Sequence, residues 1–321
     1  MSFEADDVPV TDGDMQTLAG LTQLRLVQIG NTTGNSGSFT GVTDPTPIVT
    51  LRGLEELSLV ENNISVSNLE ETISPSTFPQ LQELDVGLVE VEPTASETDR
   101  VVDIFTAFSD GAPFAGVTLQ NAGLTDSQFL ELYNGLLEPN ADSLEWLELA
   151  GWNVPGQLTD DILDEIATLG QLQGLEIGNN EFTTLDPLSD LTGLEELDLA
   201  DLPDLTDFSA LSSLTNLVFL GVGRTGFADG DWQHIVDLGS IEELSIRGSE
   251  TMQPLDNGNA TGEELDDLEV VFVENDPPLL ADGGTLDLGI MLSPLYELNQ
   301  DTIQALEDEG LDVRYQVEQI Q

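Results

Sequence analysis

The segment Leu54-Glu-Glu-Leu57-Ser-Leu59-Val-Glu-Asn62-Asn-Ile64 reads as LxxLxLxxNxL, and Leu172-Gln-Gly-Leu175-Glu-Ile177-Gly-Asn-Asn180-Glu-Phe182 repeats this pattern. Alternate residues of an extended chain point to opposite sides, so the two central apolar residues of each copy predict one buried face of a short strand. The residues between them face the other way. Each copy is too small to bury its apolar face alone, so we expect neighbouring copies to stack around one continuous core.

Eight further copies keep this frame with substitutions. All ten copies begin between 22 and 33 residues apart, and the eight start at Leu21, Leu81, Phe114, Leu144, Leu194, Leu217, Ile241 and Leu268. Stacked copies of one strand–return unit place their strands side by side in the same direction. We therefore predict a parallel sheet that lines a concave wall, with the returning segments on the convex side.

The pattern resembles that of the leucine-rich repeat family over most of the chain. The stretch Asn180–Leu194 is similar to the short class of repeat found in bacterial internalin-type adhesins, and the longer units between Phe114 and Leu172 are similar to the helix-bearing class. The resemblance implies an α/β solenoid with a parallel concave sheet and a convex side of mixed helices and loops. The family's asparagine is kept only at Asn62 and Asn180, so we expect an irregular solenoid.

We predict three parts along the chain. Residues 1–20 form an N-terminal cap with a short helix near Gly13–Leu18, residues 21–276 form a solenoid of about ten repeats, and residues 277–321 form a C-terminal cap. In the last part, the helical spacing over Asn299–Gly310 begins with an Asn cap and ends in glycine.

A final strand is predicted over Leu311–Val317, where apolar residues alternate with polar ones. Two inserts interrupt the repeats, at 31–50 and 249–264. Insertions in solenoids often cluster on the binding face, but a tolerated surface loop explains them equally well.

Charge is the most extreme property of the composition. The chain has 62 acidic residues, six arginines, no lysine, no cysteine and one histidine, which gives a net charge of −56. These counts exclude disulfides, cysteine-based zinc sites and lysine-dependent phosphate loops. Such a surface repels phosphate backbones, so we expect no nucleic-acid partner. A folded chain with this charge is best screened in concentrated salt, which predicts an origin in an extreme halophile.

The sequence has no signal peptide and no apolar run long enough to cross a membrane, so we predict a cytoplasmic or virion location and no membrane insertion. Three glycosylation triplets, at Asn31, Asn63 and Asn259, would matter only in an exported protein.

The sequence offers little for catalysis, and we predict no catalytic residue, no cofactor and no metal beyond loosely held cations. His234 lies in a predicted convex helix without a nucleophile-elbow serine, which favours a structural role. Asp12-Gly-Asp14 and Asp229-Gly-Asp231 lack the rest of a calcium loop, so helix capping by Asp14 or Asp231 is the favoured reading. Acid pairs are so frequent here that glycoside hydrolysis remains only a distant possibility.

The predicted concave wall carries an unusual set of side chains. Acidic residues fill 16 of its 50 variable positions, although they make up 62 of the 321 residues overall. Arginine and large aromatic residues are enriched at binding hot spots, and those on this wall are Arg25, Trp146, Phe219, Arg224, Arg247 and Phe272. We predict the main recognition patch around Arg224 and Arg247. The alternative is that these arginines only relieve repulsion between acidic strands.

These observations predict a non-enzymatic recognition or structural module that works in high salt and binds a protein, with a glycan as the other possible ligand. The runner-up is a structural or adhesive component of a halophilic virus particle, such as a decoration, turret or tail-fibre protein. Such a protein would be a part of a larger assembly. Acid-pair glycoside hydrolysis is third.

Overall fold

The computed structural model describes residues 1–5, 10–30, 41–60, 62–87, 93–151, 157–227, 229–246, 284–292, 303–308 and 310–318. The chain divides into two compact units. Unit 1 consists of residues 1–158 and 168–172, and unit 2 of residues 159–167 and 173–321. None of the helices in these described ranges is long and apolar enough to span a bilayer.

Unit 1 contains six strands that pair in parallel and in chain order. They are β1 (Ser2–Ala5), β2 (Leu26–Ile29), β3 (Glu56–Ser58), β4 (Glu83–Gly87), β5 (Gly116–Gln120) and β6 (Trp146–Glu148). The central residues Val27, Leu57 and Leu84 lie in register and are buried. The LxL alternation thus produces the expected strand, with one face on the core.

The returning segments of unit 1 are mostly helical. They contain α1 (Asp12–Leu18), α2 (Val66–Thr72), α3 (Ala95–Thr106) and α4 (Asp126–Leu132), a π-helical turn (Tyr133–Leu137) and 3₁₀ turns (Thr46–Thr50, Glu138–Asn140). Local capping starts these helices: Thr94 and Glu97 form a reciprocal capping box at α3, and Thr125 and Gln128 form one at α4. Helix α4 lies in the longer units between Phe114 and Leu172, where the resemblance to helix-bearing repeats predicted a helix.

Unit 2 repeats the parallel arrangement with six strands in chain order. They are β7 (Gly174–Glu176), β8 (Glu196–Asp198), β9 (Phe219–Gly221), β10 (Glu243–Ser245), β11 (Thr285–Leu292) and β12 (Asp312–Glu318). The strands β7 to β11 share a buried row of leucines, namely Leu175, Leu197, Leu220, Leu244 and Leu286.

Short helical turns replace longer helices in the returns of unit 2. They are α5 (Leu163–Ala167), 3₁₀ turns at Asp160–Ile162, Asp186–Asp190, Ser209–Ser213 and Asp229–His234, and a helix over 303–308. The shorter repeats leave fewer residues between strands, and a 3₁₀ turn covers the core in fewer residues than an α-helix does. The predicted mixture of helices and loops is confirmed.

The first repeat lies in a different frame from the predicted one. The sequence suggested Leu21, Leu24 and Leu26 as its core residues, but Val27 pairs in register with Leu57. The buried set is therefore Leu24, Val27 and Ile29, while Leu21 is 44% exposed. The prediction was wrong because the leucines outside the frame were favoured over the β-branched residues that the strand buries.

Both predicted caps contribute strands. β1 comes from residues 1–20 and pairs with β2, and α1 confirms the helix predicted near Gly13–Leu18. At the other end, β10 pairs with β11, and the predicted last strand is β12. The predicted tenth copy, which starts at Leu268, and the insert at 249–264 lie outside the described residues.

In the turns after the strands, an asparagine or another polar side chain forms hydrogen bonds to buried backbone groups. Buried Asn62 accepts a hydrogen bond from the Val42 N–H at 2.9 Å and donates to the Ile29 carbonyl at 2.6 Å. Thr225 occupies the asparagine position in a later repeat, and its hydroxyl donates to the Val222 carbonyl at 2.7 Å. A shorter side chain thus satisfies the same kind of buried carbonyl.

A second feature of these turns is a residue with a left-handed backbone conformation just before the asparagine position. Asn121, Asn179, Asp201 and Arg224 all have positive φ angles, between 54° and 67°. The N–H of Asn179 donates to the Ala200 carbonyl on the next repeat at 2.8 Å. These bonds run from repeat to repeat, so part of the turn backbone is satisfied without an asparagine side chain.

Candidate functional site

The candidate site is the side of the strands that points away from the core. On each strand, the residues before and after the buried central residue lie on this side. We call them the unit 1 face (Leu26, Gln28, Glu56, Ser58, Glu83, Asp85, Gly116, Thr118, Trp146 and Glu148) and the unit 2 face (Gly174, Glu176, Glu196, Asp198, Phe219, Gly221, Glu243, Ser245, Thr285 and Asp287).

Both described aromatic residues that were predicted on the concave wall lie on these faces. Trp146 starts β6 on the unit 1 face and lies opposite Gly116 in register. Phe219 starts β9 on the unit 2 face, between Glu196 on β8 and Glu243 on β10. Both side chains are half-buried. Each ring therefore has neighbours that hold it in place and still offers apolar surface to a ligand.

The predicted arginines have a different setting. Arg224 lies in the turn after β9, and its guanidinium forms an ion pair with Asp201. Arg25 precedes β2, donates to the Gly53 carbonyl at 2.7 Å and lies 3.5 Å from a carboxylate oxygen of Glu55. Arg247 and Phe272 lie outside the described residues. Of the predicted patch around Arg224, the structure therefore places Arg224 and Phe219.

Four of the five described arginines contact a neighbouring repeat, and Arg314 on β12 contacts Glu243 two strands away on β10. The contacts are Arg25 to Glu55, Arg52 to the Ser76 carbonyl, Arg100 to Glu70 and Ser67, Arg224 to Asp201, and Arg314 to Glu243. Stacked acidic repeats repel one another, and an arginine between two repeats offsets part of that repulsion. This pattern agrees with the structural alternative stated for these residues.

An acidic patch on β3, on β4 and just before β6 was not singled out by sequence reasoning. It consists of Glu56, Glu83, Asp85 and Glu145. Glu56 and Glu83 are partners in register, and Asp85 is the next residue on the same face of β4. Burial raises the pKa of Glu83 to about 7, with further contributions from the charges of Glu56, Asp85 and Glu145.

Asp85 is the more enclosed member of the acidic patch. Burial raises its pKa to about 6, although hydrogen bonds from the Thr118 and Ser58 side chains partly oppose this rise. Both hydroxyl residues are themselves buried. The acidic composition of the face was visible in the sequence, but the pairing that brings these four carboxyl groups together depends on the register.

The residues with possible catalytic or metal-binding roles have other partners. Asp14 and Thr11 form the capping box of α1, as predicted, and the Asp12 carboxylate accepts hydrogen bonds from the N–H groups of Thr43 and Asp44. The His234 ring nitrogen Nδ1 lies 3.4 Å from the Ser212 hydroxyl. Within the described residues, no three His, Cys, Asp or Glu side chains are grouped so as to hold a metal ion.

Comparison with solved structures shows similarity to repeat proteins of bacteria. An internalin of Listeria monocytogenes is 22% identical, with 79% of this chain and 76% of that chain covered and a TM-score of 0.40. Internalin C2 of the same organism is 24% identical, with 67% and 78% covered and a TM-score of 0.39. A leucine-rich-repeat protein of Leptospira interrogans is 18% identical, with 74% and 58% covered and a TM-score of 0.40.

No protein-family model and no curated protein matches the sequence. The repeat frame and the register of the buried central residues therefore carry the assignment of the fold. In each unit, parallel strands in chain order alternate with short helical returns around a leucine-rich core. The chain has a leucine-rich-repeat fold.

Proposed function

We propose that this chain is a non-enzymatic recognition module that binds a protein partner through its strand faces. The main evidence for this proposal is that Phe219 lies in register between Glu196 and Glu243 on the neighbouring strands. A rigid strand presents this ring, so little conformational entropy is lost when a ligand covers it. The leucine-rich-repeat fold typically serves protein recognition, which supports the same reading.

The chemistry of this site favours a partner with basic side chains. An aromatic ring attracts arginine and lysine through its π face, and flanking carboxylates pair with the same groups. Complementary charge mainly speeds association and sets specificity, and concentrated salt screens it. In brine, covering Phe219 would therefore supply more of the affinity than the carboxylates.

Arg224 is less available to a partner than Phe219. Arg224 is close to Phe219 in the sequence, and its guanidinium already pairs with Asp201. A partner that used Arg224 would have to share or break this pair. We therefore assign the direct contact to Phe219, and Arg224, Arg247, Phe272, Arg25 and Trp146 remain predicted contact residues.

The direct experiment is a binding measurement with a partner isolated by crosslinking in about 1 M salt, where charge screening is strong. Phe219→Ala should weaken binding at least tenfold, which corresponds to about 1.4 kcal/mol. Val49→Ala is the matched control, because Val49 is an apolar residue, 37% exposed, in a returning segment of unit 1. Unchanged binding by Phe219→Ala and by Arg224→Ala/Arg247→Ala would overturn the proposal.

One other ligand and two other roles would each give a distinct result. Glycans also stack on aromatic rings beside carboxylates, and competition by free sugars would identify a glycan ligand. A component of a halophilic virus particle would migrate with a large assembly in high salt. Hydrolysis of a glycoside by the purified chain, lost in a Glu83→Gln variant, would instead support the third reading.

A further inference from the structure

The acidic patch is a place where like charges face each other without an arginine between them. Adjacent strands lie about 4.8 Å apart, so the side chains of Glu56 and Glu83 start close together on β3 and β4. Like charges at such opposed positions destabilise a sheet. Within the described part of the chain, none of the four patch carboxylates forms an ion pair with an arginine.

The carboxyl groups of Glu83 and Asp85 are also partly shielded from water. Glu83 leans over Gly116 on β5, and a Cβ atom at this glycine would lie 3.2 Å from the Glu83 Cγ atom. Because Gly116 has no side chain, the Glu83 side chain can lie against β5, and part of its carboxyl group is buried there. Asp85 is enclosed by hydroxyl donors on both sides. Two partly buried carboxyl groups on one strand therefore share a site with two more carboxylates.

We propose that the acidic patch is a proton-operated switch, in which protonation of Glu83 and Asp85 holds β3, β4 and β5 together and deprotonation loosens this part of unit 1. A protonated carboxyl group carries no charge and can donate a hydrogen bond to a neighbouring carboxylate. The groups that face the two residues are Glu56 and Ser58 from β3, Gly116 and Thr118 from β5, and Glu145 before β6.

The pKa values give the direction and the pH range of the effect. The pKa of Glu83 is raised from 4.5 to about 7, and that of Asp85 from 3.8 to about 6. The folded state therefore binds these protons more tightly than the unfolded chain does. For each group, the stabilisation is complete below its ordinary pKa, 4.5 for Glu83 and 3.8 for Asp85. It is lost as the pH rises through the folded pKa, about 7 for Glu83 and about 6 for Asp85.

Hydrogen exchange tests the proposal directly, without any partner, so it stands apart from the proposed recognition function. Protection factors of the β4 amides should fall about tenfold between about pH 5 and about pH 8, which corresponds to one pKa unit of linkage after allowance for solvent screening. Glu83→Gln imitates the protonated acid, so most of this pH dependence should disappear, and β4 should be better protected than in the wild type at the higher pH.

The matched control is Glu196→Gln, which removes the same charge from the equivalent position of β8. Glu196 is exposed, and its partners in register are Gly174 and Phe219. This variant should keep the wild-type pH dependence in β4. Equal pH dependence in the wild type and Glu83→Gln would overturn the proposal. Failure of Glu83→Gln to fold would also overturn it, because the neutral amide should be tolerated.

Discussion

Asp201 and Arg224 occupy the same place in two neighbouring repeats, and their side chains form an ion pair although both backbones are left-handed. Their φ angles are 67° and 54°. The Asp201 N–H donates to the Gly223 carbonyl at 2.8 Å, so the backbones of the two turns are joined beside the ion pair. Left-handed residues with a Cβ atom are strained, and here the contacts between repeats hold that conformation in place.

The first prediction separates the charge of Arg224 from its backbone strain. Arg224→Ala removes the ion pair but keeps a Cβ atom at a positive φ, and we expect a loss of about 1–2 kcal/mol in the free energy of unfolding. Arg224→Gly removes the same pair but relieves the backbone, so it should cost about 1 kcal/mol less than the alanine variant. Urea unfolding at fixed salt measures both. A glycine variant less stable than the alanine variant would contradict this account.

A second prediction concerns Asn62, whose side chain joins three backbone segments. Its amide contacts the Val42 N–H and the Ile29 and Val60 carbonyls, and the residue is 1% exposed. Asn62→Ala leaves these buried groups unsatisfied, so we expect a loss of about 3 kcal/mol in the free energy of unfolding. Gln82→Ala, at an exposed polar residue, is the control, and its effect should stay below about 0.5 kcal/mol. Similar costs for both variants would show that Asn62 does not join these segments.

The repeat frame could be predicted from the sequence because a leucine at each fixed position has one physical role, burial on the core face of a strand. Leu57, Leu84 and Leu147 are buried in register as that frame requires. The frame failed at the first repeat, where Val27 and Ile29 take the core positions. Valine, isoleucine and leucine fill a strand core almost equally well, so composition alone does not fix the register there.

The acidic patch could not be predicted, for a related reason. The sequence shows that Glu56, Glu83 and Asp85 lie in acidic repeats, but it does not show which carboxyl groups are buried. Burial of Glu83 depends on the glycine at position 116 of the next strand. The neighbour of β10 was equally hidden, because β11 follows it only after a long connection, and chain distance says little about strand pairing across such a connection.

A third prediction tests the close approach between two repeats at Gly178. A Cβ atom at Gly178 would lie 2.4 Å from the Ala200 carbonyl oxygen, a contact that requires the backbone to move. Gly178→Ala should therefore lower the free energy of unfolding by about 2–3 kcal/mol. Gly239→Ala is the matched control in the same unit, since a Cβ atom there meets nothing within 4 Å. Thermal unfolding compares the two, and equal melting temperatures would show that the repeats separate at little cost.

The last prediction concerns the stability of the fold at acid pH, where Asp12 joins α1 to the returning segment of the first repeat. Hydrogen bonds from the backbone of Asp44 and from Thr43 lower the pKa of Asp12 below 3.8. Its contribution is therefore present above pH 3.8 and is lost as the pH falls through the lower folded value. Asp12→Asn should cost about 1 kcal/mol at about pH 6, and the cost should be smaller at about pH 2, where more of the wild-type carboxyl group is protonated. Urea midpoints at both pH values, with exposed Asp110→Asn as the control, measure this difference, and a cost for Asp12→Asn that persists unchanged at the lower pH would mean that its carboxylate is not the stabilising group.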